Sequence, residues 1–188
     1  MGQDFAQFAE WNEAKSLEWE LTEQYESHRQ MQTYYKALNH LYTSHPAMYE
    51  GDYLMEGFEW IDCMDADRSI ITFLRRSKDS KEQLLVVCNF TPVTQTEYRV
   101  GVPFAGKFKE IFNSNKAEFG GTGAGNPRVK TSKPVNWNNR DNSIELTIPG
   151  LSMLVFSCEE AAPKKTVEKK TVEKKSTVKK TSKKKENQ

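Results

Sequence analysis

The sequence has few residues that could cross-link the chain or hold a metal ion. Its three cysteines, Cys63, Cys88 and Cys158, are odd in number and widely separated, which excludes a disulfide framework and is typical of a reducing compartment. No C-x-x-C pair occurs, and the three histidines lack the i, i+4 spacing of a zinc-binding helix. We therefore predict no metal site and no cofactor.

Long apolar runs are also missing. No stretch approaches the roughly 20 consecutive apolar residues of a membrane span. The first residues, Met1 to Asp4, have neither the basic region nor the apolar region of a signal peptide. The 188 residues are too few for a complete (β/α)₈ barrel, which typically needs about 250. These absences predict a cytoplasmic protein with one ordinary domain, its appendages and no membrane partner.

Two glycine-containing segments come close to catalytic motifs without completing them. The segment from Gly150 to Leu154 lacks the second glycine of G-x-S-x-G. The glycine cluster at 120–126 lacks the Lys-Ser/Thr pair of a phosphate-binding loop, and Pro127 follows it at once. We interpret this cluster as a long mobile loop between strands.

Charge is distributed unevenly along the chain. Residues 159–188 contain eleven lysines and five glutamates, for a net charge of +6, so that residues 1–158 carry a net charge of −5. An acidic globule repels phosphate, and nucleic acid is not an expected partner. The tail repeats Thr-Val-Glu-Lys-Lys, and its single valine per repeat buries too little apolar area to order a chain. We predict a disordered, solubilising tail, with contact to anionic partners as an alternative.

Helical periodicity is confined to the first quarter of the sequence. Residues 1–25 are irregular and rich in aromatics, with a short helix starting near Ser16. Apolar residues at 31, 34, 35, 38, 41 and 42 then form one stripe of a helix over 28–43, which Pro46 ends. We interpret the tyrosines of this stripe as a packing surface rather than a binding platform.

After Pro46 the pattern changes to short strands. They are predicted at 57–63, 69–76, 83–90, 97–102, 107–112, 143–148 and 152–157, where β-branched and aromatic residues alternate with turn signals. The run at 84–88 is apolar throughout, which predicts a central strand covered on both faces. Seven short strands in about 100 residues indicate a mainly β fold, an antiparallel sandwich.

The candidate binding residues are suited to sugars. Glu10, Trp11 and Asn12 place a carboxylate, an indole and an amide side by side, which suits sugar hydroxyls and an apolar sugar face. Trp60 is a second candidate platform, although core packing explains it equally well. Paired acids would suit glycoside chemistry, but those near Trp60 are interpreted as solvated charges. They are Glu56, Glu59, Asp62, Asp65 and Asp67.

Several blocks taken together resemble one family. They are MGQDFAQ (1–7), EWN (10–12), LEW (17–19), LNHLY (38–42), GFEWID (57–62), FLRR (73–76), VVCNFTP (86–92), YRVGVP (98–103), GGTGAGN (120–126) and the strands at 146–156. In this order they resemble the end of bacterial 1,4-α-glucan (glycogen) branching enzymes, from the segment after the eighth barrel strand onward. The resemblance covers about residues 1–158.

The resemblance implies an α-amylase-type barrel followed by a C-terminal all-β domain. Such an enzyme cleaves an α-1,4-glucan, holds the fragment covalently on an aspartate and transfers it to a 6-hydroxyl, which makes an α-1,6 branch. The family's nucleophile aspartate, acid/base glutamate and stabilising aspartate lie on earlier barrel strands, and their motifs do not occur in this sequence. We therefore predict no catalytic residue here. Met1 matches a methionine inside the family pattern, which implies a truncated product, part of a split reading frame or an excerpt.

The resemblance also implies a division of the chain. Residues 1–46 would be the last loop and helix of the barrel, residues 47–158 the all-β sandwich, and residues 159–188 the tail. The expected function is that of a C-terminal segment of a branching enzyme in glycogen biosynthesis, inactive without the barrel. Its expected partners are α-glucan (glycogen or amylose) and that missing barrel, in the same parent chain or a companion chain. The alternatives are a stand-alone glucan-binding module using Trp11, Trp60 and Trp137, and an adaptor acting through the basic tail.

Overall fold

The computed structural model describes residues 1–162, and strands dominate this part of the chain. The strands are β1 (Phe58–Asp65), β2 (Ile70–Arg76), β3 (Gln83–Asn89), β4 (Gln95–Val102), β5 (Gly106–Asn113), β6 (Lys130–Thr131), β7 (Asn142–Ile148) and β8 (Ser152–Glu160). The helices are α1 (Glu20–Gln24) and α2 (Glu26–Ser44). The seven predicted strands and the long helix are confirmed, whereas α1 begins four residues later than predicted and β6 was not predicted.

The predicted tail begins two residues too early. Glu159 and Glu160 belong to β8, where they pair with Lys107 and Gly106 of β5. Their backbone groups find ladder partners, so a charged side chain at the end of a strand is tolerated. Disorder is also predicted for the rest of the tail. Beyond residue 162 the tail lies outside the described residues.

The strands form two antiparallel sheets. The larger has the order β1-β2-β3-β8-β5-β6, and the smaller pairs β4 with β7. The predicted mainly β, antiparallel architecture is confirmed. At the centre of the larger sheet β3 lies against β8, with Val86 opposite Val155.

A first core fills the space between the two sheets. It includes Leu85 and Val87 of β3, Phe156 of β8, and Ile144 and Leu146 of β7, all at most 2% exposed. Alternate side chains of a strand point to opposite faces, so Leu84 and Val86 face the other way. They lie in a second core, which confirms that the apolar run at 84–88 is covered on both faces.

Helix α2 covers the second face of the larger sheet. Its residues Tyr34, Leu38 and Leu41 pack in the same cluster as Leu84, Val86, Phe112 and Val155. Among the tyrosines of the stripe, Tyr34 packs in this core as predicted, whereas Tyr35 is not part of it. Tyr42, at the end of the stripe, stays 46% exposed. No helix among residues 1–162 is long and apolar enough to cross a membrane.

The N-terminal segment is anchored to α2 through one buried ring. Phe5 is fully buried and stacks on Trp19, with ring centroids 5.0 Å apart. The backbone carbonyl of Phe5 lies 2.7 Å from Nδ1 of His28, which is itself buried in the first turns of α2. Because a carbonyl oxygen can only accept, Nδ1 of His28 is the donor in this hydrogen bond.

The glycine cluster lies in the loop between β5 and β6, as predicted. Its last residue, Asn126, is buried and joins the two sheets. The amide nitrogen of its side chain donates to Glu110 of β5 (3.0 Å) and to the carbonyl of Thr147 of β7 (2.8 Å), and its side-chain oxygen accepts from Thr147 N–H at 2.9 Å. Asn113 also donates to the carbonyl of Ala124 at 2.9 Å. The prediction of a mobile loop did not anticipate these contacts, which hold the C-terminal end of the cluster.

Candidate functional site

Three of the four predicted site residues line one cleft. Glu10, Trp11 and Asn12 lie in a cleft of about 280 Å³, which we call the Trp11 cleft and which is lined by Met1 and by residues between Gln7 and Glu18. The Trp11 side chain is 70% exposed. A tryptophan that exposes this much apolar surface is suited to contact with a ligand or another polypeptide.

Hydrogen bonds within the segment fix the shape of the Trp11 cleft. The indole Nε1 of Trp11 donates to Glu13 at 3.2 Å, and the side-chain oxygen of Asn12 accepts from Ala14 N–H at 3.0 Å. The Glu18 carboxylate accepts from the backbone N–H groups of Phe8 (3.1 Å) and Ala9 (3.4 Å) on the opposite side. The indole is therefore oriented without being covered.

Trp60 does not line the Trp11 cleft. It lies on β1, where its ring meets Phe58 edge-on with centroids 4.9 Å apart and Phe73 at 5.7 Å. Half of its surface remains exposed (50%). The structure thus places Trp60 at the rim of an aromatic cluster, and it does not combine the four predicted residues into one site.

A larger cleft escaped the sequence analysis. It has a volume of about 550 Å³, within the range of about 300–1,000 Å³ typical of small-molecule sites. We call it the Trp137 cleft. Its charged and aromatic lining residues are Asp62, Asp65, Arg68, Glu97, Tyr98, Arg99 and Trp137. The sequence analysis grouped Trp137 with the other tryptophans, but these side chains come from three separate parts of the chain, and no local motif joins them.

Tyr98 and Asp65 are held together inside the Trp137 cleft. The Tyr98 hydroxyl donates to the Asp65 carboxylate at 2.7 Å, and the Arg68 guanidinium lies over the Tyr98 ring at 5.6 Å from its centroid. Partial burial, followed by the hydrogen bond to Asp65, raises the pKa of Tyr98 well above its ordinary value. Tyr98 is therefore a neutral hydrogen-bonding group at physiological pH.

The Tyr98→Phe variant tests this pair. Loss of the hydroxyl should lower the free energy of unfolding by about 1 kcal/mol at pH 7. Because the folded-state pKa of Tyr98 is raised, the stabilisation is complete below the unfolded-state pKa and is lost as pH rises through the folded-state value. Urea unfolding of both proteins should show a deficit that shrinks above about pH 10. A deficit that is as large above about pH 10 as at pH 7 would contradict the hydrogen bond between Tyr98 and Asp65.

Residues 1–162 contain no cluster arranged for a metal ion, and their two partly buried cysteines are not poised as nucleophiles. No group of three or more His, Cys, Asp or Glu side chains within residues 1–162 is arranged to hold a metal ion. Burial raises the pKa of Cys88 to about 11 and that of Cys158 to about 12, so both thiols stay protonated at neutral pH. Glu59, one of the acids near Trp60, forms ion pairs with Arg76 and Arg140. An acid neutralised in this way is not poised for proton transfer.

Comparison with known proteins places this architecture in a family. The family model of the alpha amylase C-terminal all-beta domain matches residues 60–159 of this chain. Proteins named 1,4-alpha-glucan branching enzyme are 44% identical in Thermosynechococcus vestitus, over 89% of this chain and 21% of the relative, and 46% identical in Aquifex aeolicus, over 85% and 25%. The relative from Halothermothrix orenii is 44% identical over 83% and 25%. The chain thus spans about a quarter or less of the length of these relatives, and it belongs to the family of the alpha amylase C-terminal all-beta domain.

Proposed function

We propose that this chain acts as the C-terminal segment of a 1,4-α-glucan branching enzyme in glycogen biosynthesis. The observation that carries the proposal is the 43–46% identity to branching enzymes over more than four fifths of the chain. The aligned part corresponds to only 21–25% of each relative. In this proposal, the residues that break and form glycosidic bonds belong to the catalytic barrel and not to these 188 residues. The chain acts in the cytoplasm.

The proposal gives residues 1–46 to the end of the catalytic barrel, residues 47–160 to the all-β domain and residues 161–188 to the tail. Exposed aromatic side chains in residues 1–46 support a packing surface for the barrel. Phe8 is 80% exposed, and Trp11, Trp19 and Tyr25 are each about half exposed or more. Such a concentration of exposed apolar rings usually marks an interface. Helix α2 then connects the barrel to the all-β domain, because its apolar face already packs on the larger β-sheet.

In the same proposal the all-β domain supports the barrel, and α-glucan contacts both the N-terminal part and the all-β domain. Glu10, Trp11 and Asn12 form one contact, with the indole as the apolar surface for a pyranose ring. The exposed half of Trp60 offers another. Both contacts would hold the substrate chain and leave the chemistry to the barrel, since binding and bond breaking need different groups.

The proposal is tested with amylose as substrate. The purified chain alone should produce no branch points, measured by iodine staining and by debranching of the product. A chimera in which residues 1–162 replace the aligned C-terminal part of the Aquifex aeolicus relative should branch amylose, while the relative truncated at the same point should not. Branching by the isolated chain, or an inactive but folded chimera, would overturn the proposal.

A further inference from the structure

We infer that the Trp137 cleft is a separate binding subsite for an α-1,4-glucan chain, with Trp137 as its platform. The inference rests on the proposed function for its ligand class. It assigns a role to Asp65, Glu97 and Trp137, which lie outside the blocks of the family resemblance and outside the Trp11 cleft. Three observations carry it: the way the backbone builds the cleft, the fixation of Trp137, and the charge of the lining.

Irregular strands create the cleft. The pairing of β1 with β2 shifts register on both sides of Asp62, and the pairing of β4 with β7 shifts between Gln95 and Tyr98. Glu97 lies at the shift between Gln95 and Tyr98. It adopts a φ of 54°, a left-handed conformation that is costly for a residue with a side chain. Bulges of this kind redirect side chains and are frequent beside functional sites. Here they turn Asp62 and Glu97 into one cavity.

A pinned hairpin holds Trp137 at the edge of this cavity. Trp137 and Arg140 exchange two backbone hydrogen bonds of 2.9 Å around Asn138 and Asn139, whose φ values of 49° and 57° are those of a type I′ turn. The Asn138 side chain donates to Asp62 at 2.8 Å and accepts from Gly101 N–H at 2.9 Å. A Cβ atom at Gly101 would lie 2.4 Å from the carbonyl oxygen of Trp137, so glycine permits this approach.

The exposure of Trp137 supports a ligand contact. The side chain is 45% exposed although its backbone is fixed on both sides. A rigid indole with a wet face loses little conformational entropy when a flat apolar ligand covers it. The apolar C–H face of a pyranose ring matches that surface.

The polar lining favours a neutral polyol over an anion. Three acids (Asp62, Asp65 and Glu97) and two arginines (Arg68 and Arg99) line the cleft, a net charge of about −1 that disfavours phosphate and nucleic acid. Asp65 is already oriented by Tyr98 and Arg68, and Arg99 is paired with Glu145. Oriented carboxylates and guanidinium groups bind adjacent hydroxyl pairs without reorganising.

The first measurement follows the indole N–H signals of the full chain by NMR during titration with maltoheptaose. The Trp137 signal, identified by its loss in Trp137→Phe, should shift and saturate. The Trp19 signal should stay in place, because Trp19 lines neither the Trp137 cleft nor the Trp11 cleft. A Trp137 signal that does not move at millimolar maltoheptaose would overturn the inference.

The second measurement is affinity electrophoresis in glycogen gels with chains that carry Trp11→Ala, which removes the platform of the Trp11 cleft. Adding Trp137→Ala should weaken retardation about tenfold, as expected for the loss of a central aromatic contact. Adding Leu151→Ala, a matched change at a residue 70% exposed and outside the cleft, should leave it unchanged. Equal effects of the two changes would contradict the inference. If Trp137→Ala does not fold, Trp137→Phe replaces it, with a loss of about threefold expected.

These results are independent of the branching assay. An active chimera together with an unresponsive Trp137 signal would refute this subsite alone. An inactive chimera with a responsive Trp137 signal would refute the proposed function and leave a glucan-binding cleft in place.

Discussion

Replacing Phe156 with alanine is expected to lower the free energy of unfolding by about 4 kcal/mol. Phe156 is fully buried in the core between the two sheets, on the strand that joins β3 to β5. The change removes most of a ring and leaves a cavity that two hydrogen-bonded neighbouring strands cannot close. The loss should appear as a lower urea midpoint with an unchanged dependence on urea concentration.

Phe90→Ala is the matched control for this prediction. It makes the same chemical change at a residue that is 61% exposed, one position after β3. The expected loss is within about 0.5 kcal/mol, as for most surface substitutions. Similar losses for the two variants would mean that Phe156 does not lie between two sheets, and the assignment of the first core would be wrong.

The sequence predicts the strands well because each strand carries its own signal. Ile144, Leu146 and Ile148 alternate with polar residues, and the structure buries all three at 2% exposure or less. The apolar run at 84–88 predicted coverage on both faces, and the two cores supply it. Strand β6 lacks such a signal. Lys130 and Thr131 form a strand only because β5 offers a free edge, which is a property of distant residues.

The helix shows where the sequence-based prediction was incomplete. The sequence predicts that the stripe of α2 is a packing surface, but it does not predict which element the stripe packs against. Tyr34, Leu38 and Leu41 rest on the β domain, on Phe112 and Val155. Periodicity identifies an apolar face of a helix, but the element that covers that face is decided by the tertiary fold.

The two candidate sites differ in how far apart their residues lie in the sequence, and this decides which of them the sequence predicts. Glu10, Trp11 and Asn12 are adjacent in sequence, so a local pattern was enough to group them in one cleft. The Trp137 cleft joins residues from β1, β4 and a hairpin 76 positions beyond Asp62. Register shifts and positive φ angles build it, and neither leaves a mark in residue composition.

Two blocks of the family resemblance contain buried asparagines, and both connect loops to sheets. Asn89, in the block VVCNFTP, donates to the carbonyls of Val93 (2.9 Å) and Pro149 (3.0 Å) and accepts from Thr91. Asn126 ends the block GGTGAGN and bridges β5 and β7. An asparagine that both donates and accepts can satisfy two backbone groups at once, which no apolar residue can do. These blocks are therefore recognisable for a structural reason.

The Asn126→Ala variant should lose about 3 kcal/mol of stability. Asn126 is 4% exposed, and alanine would remove three hydrogen bonds: one to Glu110, and two to the backbone of Thr147. The groups left without a partner lie where the smaller sheet meets the larger one. Thermal unfolding followed by circular dichroism should show a clearly lower midpoint, while Asn136→Ala, a change at an exposed residue, should leave it unchanged.

The Asn126→Asp variant separates hydrogen bonding from shape. Aspartate keeps the volume and the acceptor for Thr147 N–H, but it removes both side-chain donations and places a carboxylate beside Glu110. The loss at pH 7 should match or exceed that of alanine, because two like charges then lie within hydrogen-bonding distance. It should shrink as pH falls, because one of the two adjacent carboxyls then takes up a proton and donates to the other. A loss in Asn126→Asp that is smaller than in Asn126→Ala at pH 7 would mean that side-chain volume, and not donation to Glu110 and Thr147, holds the two sheets together.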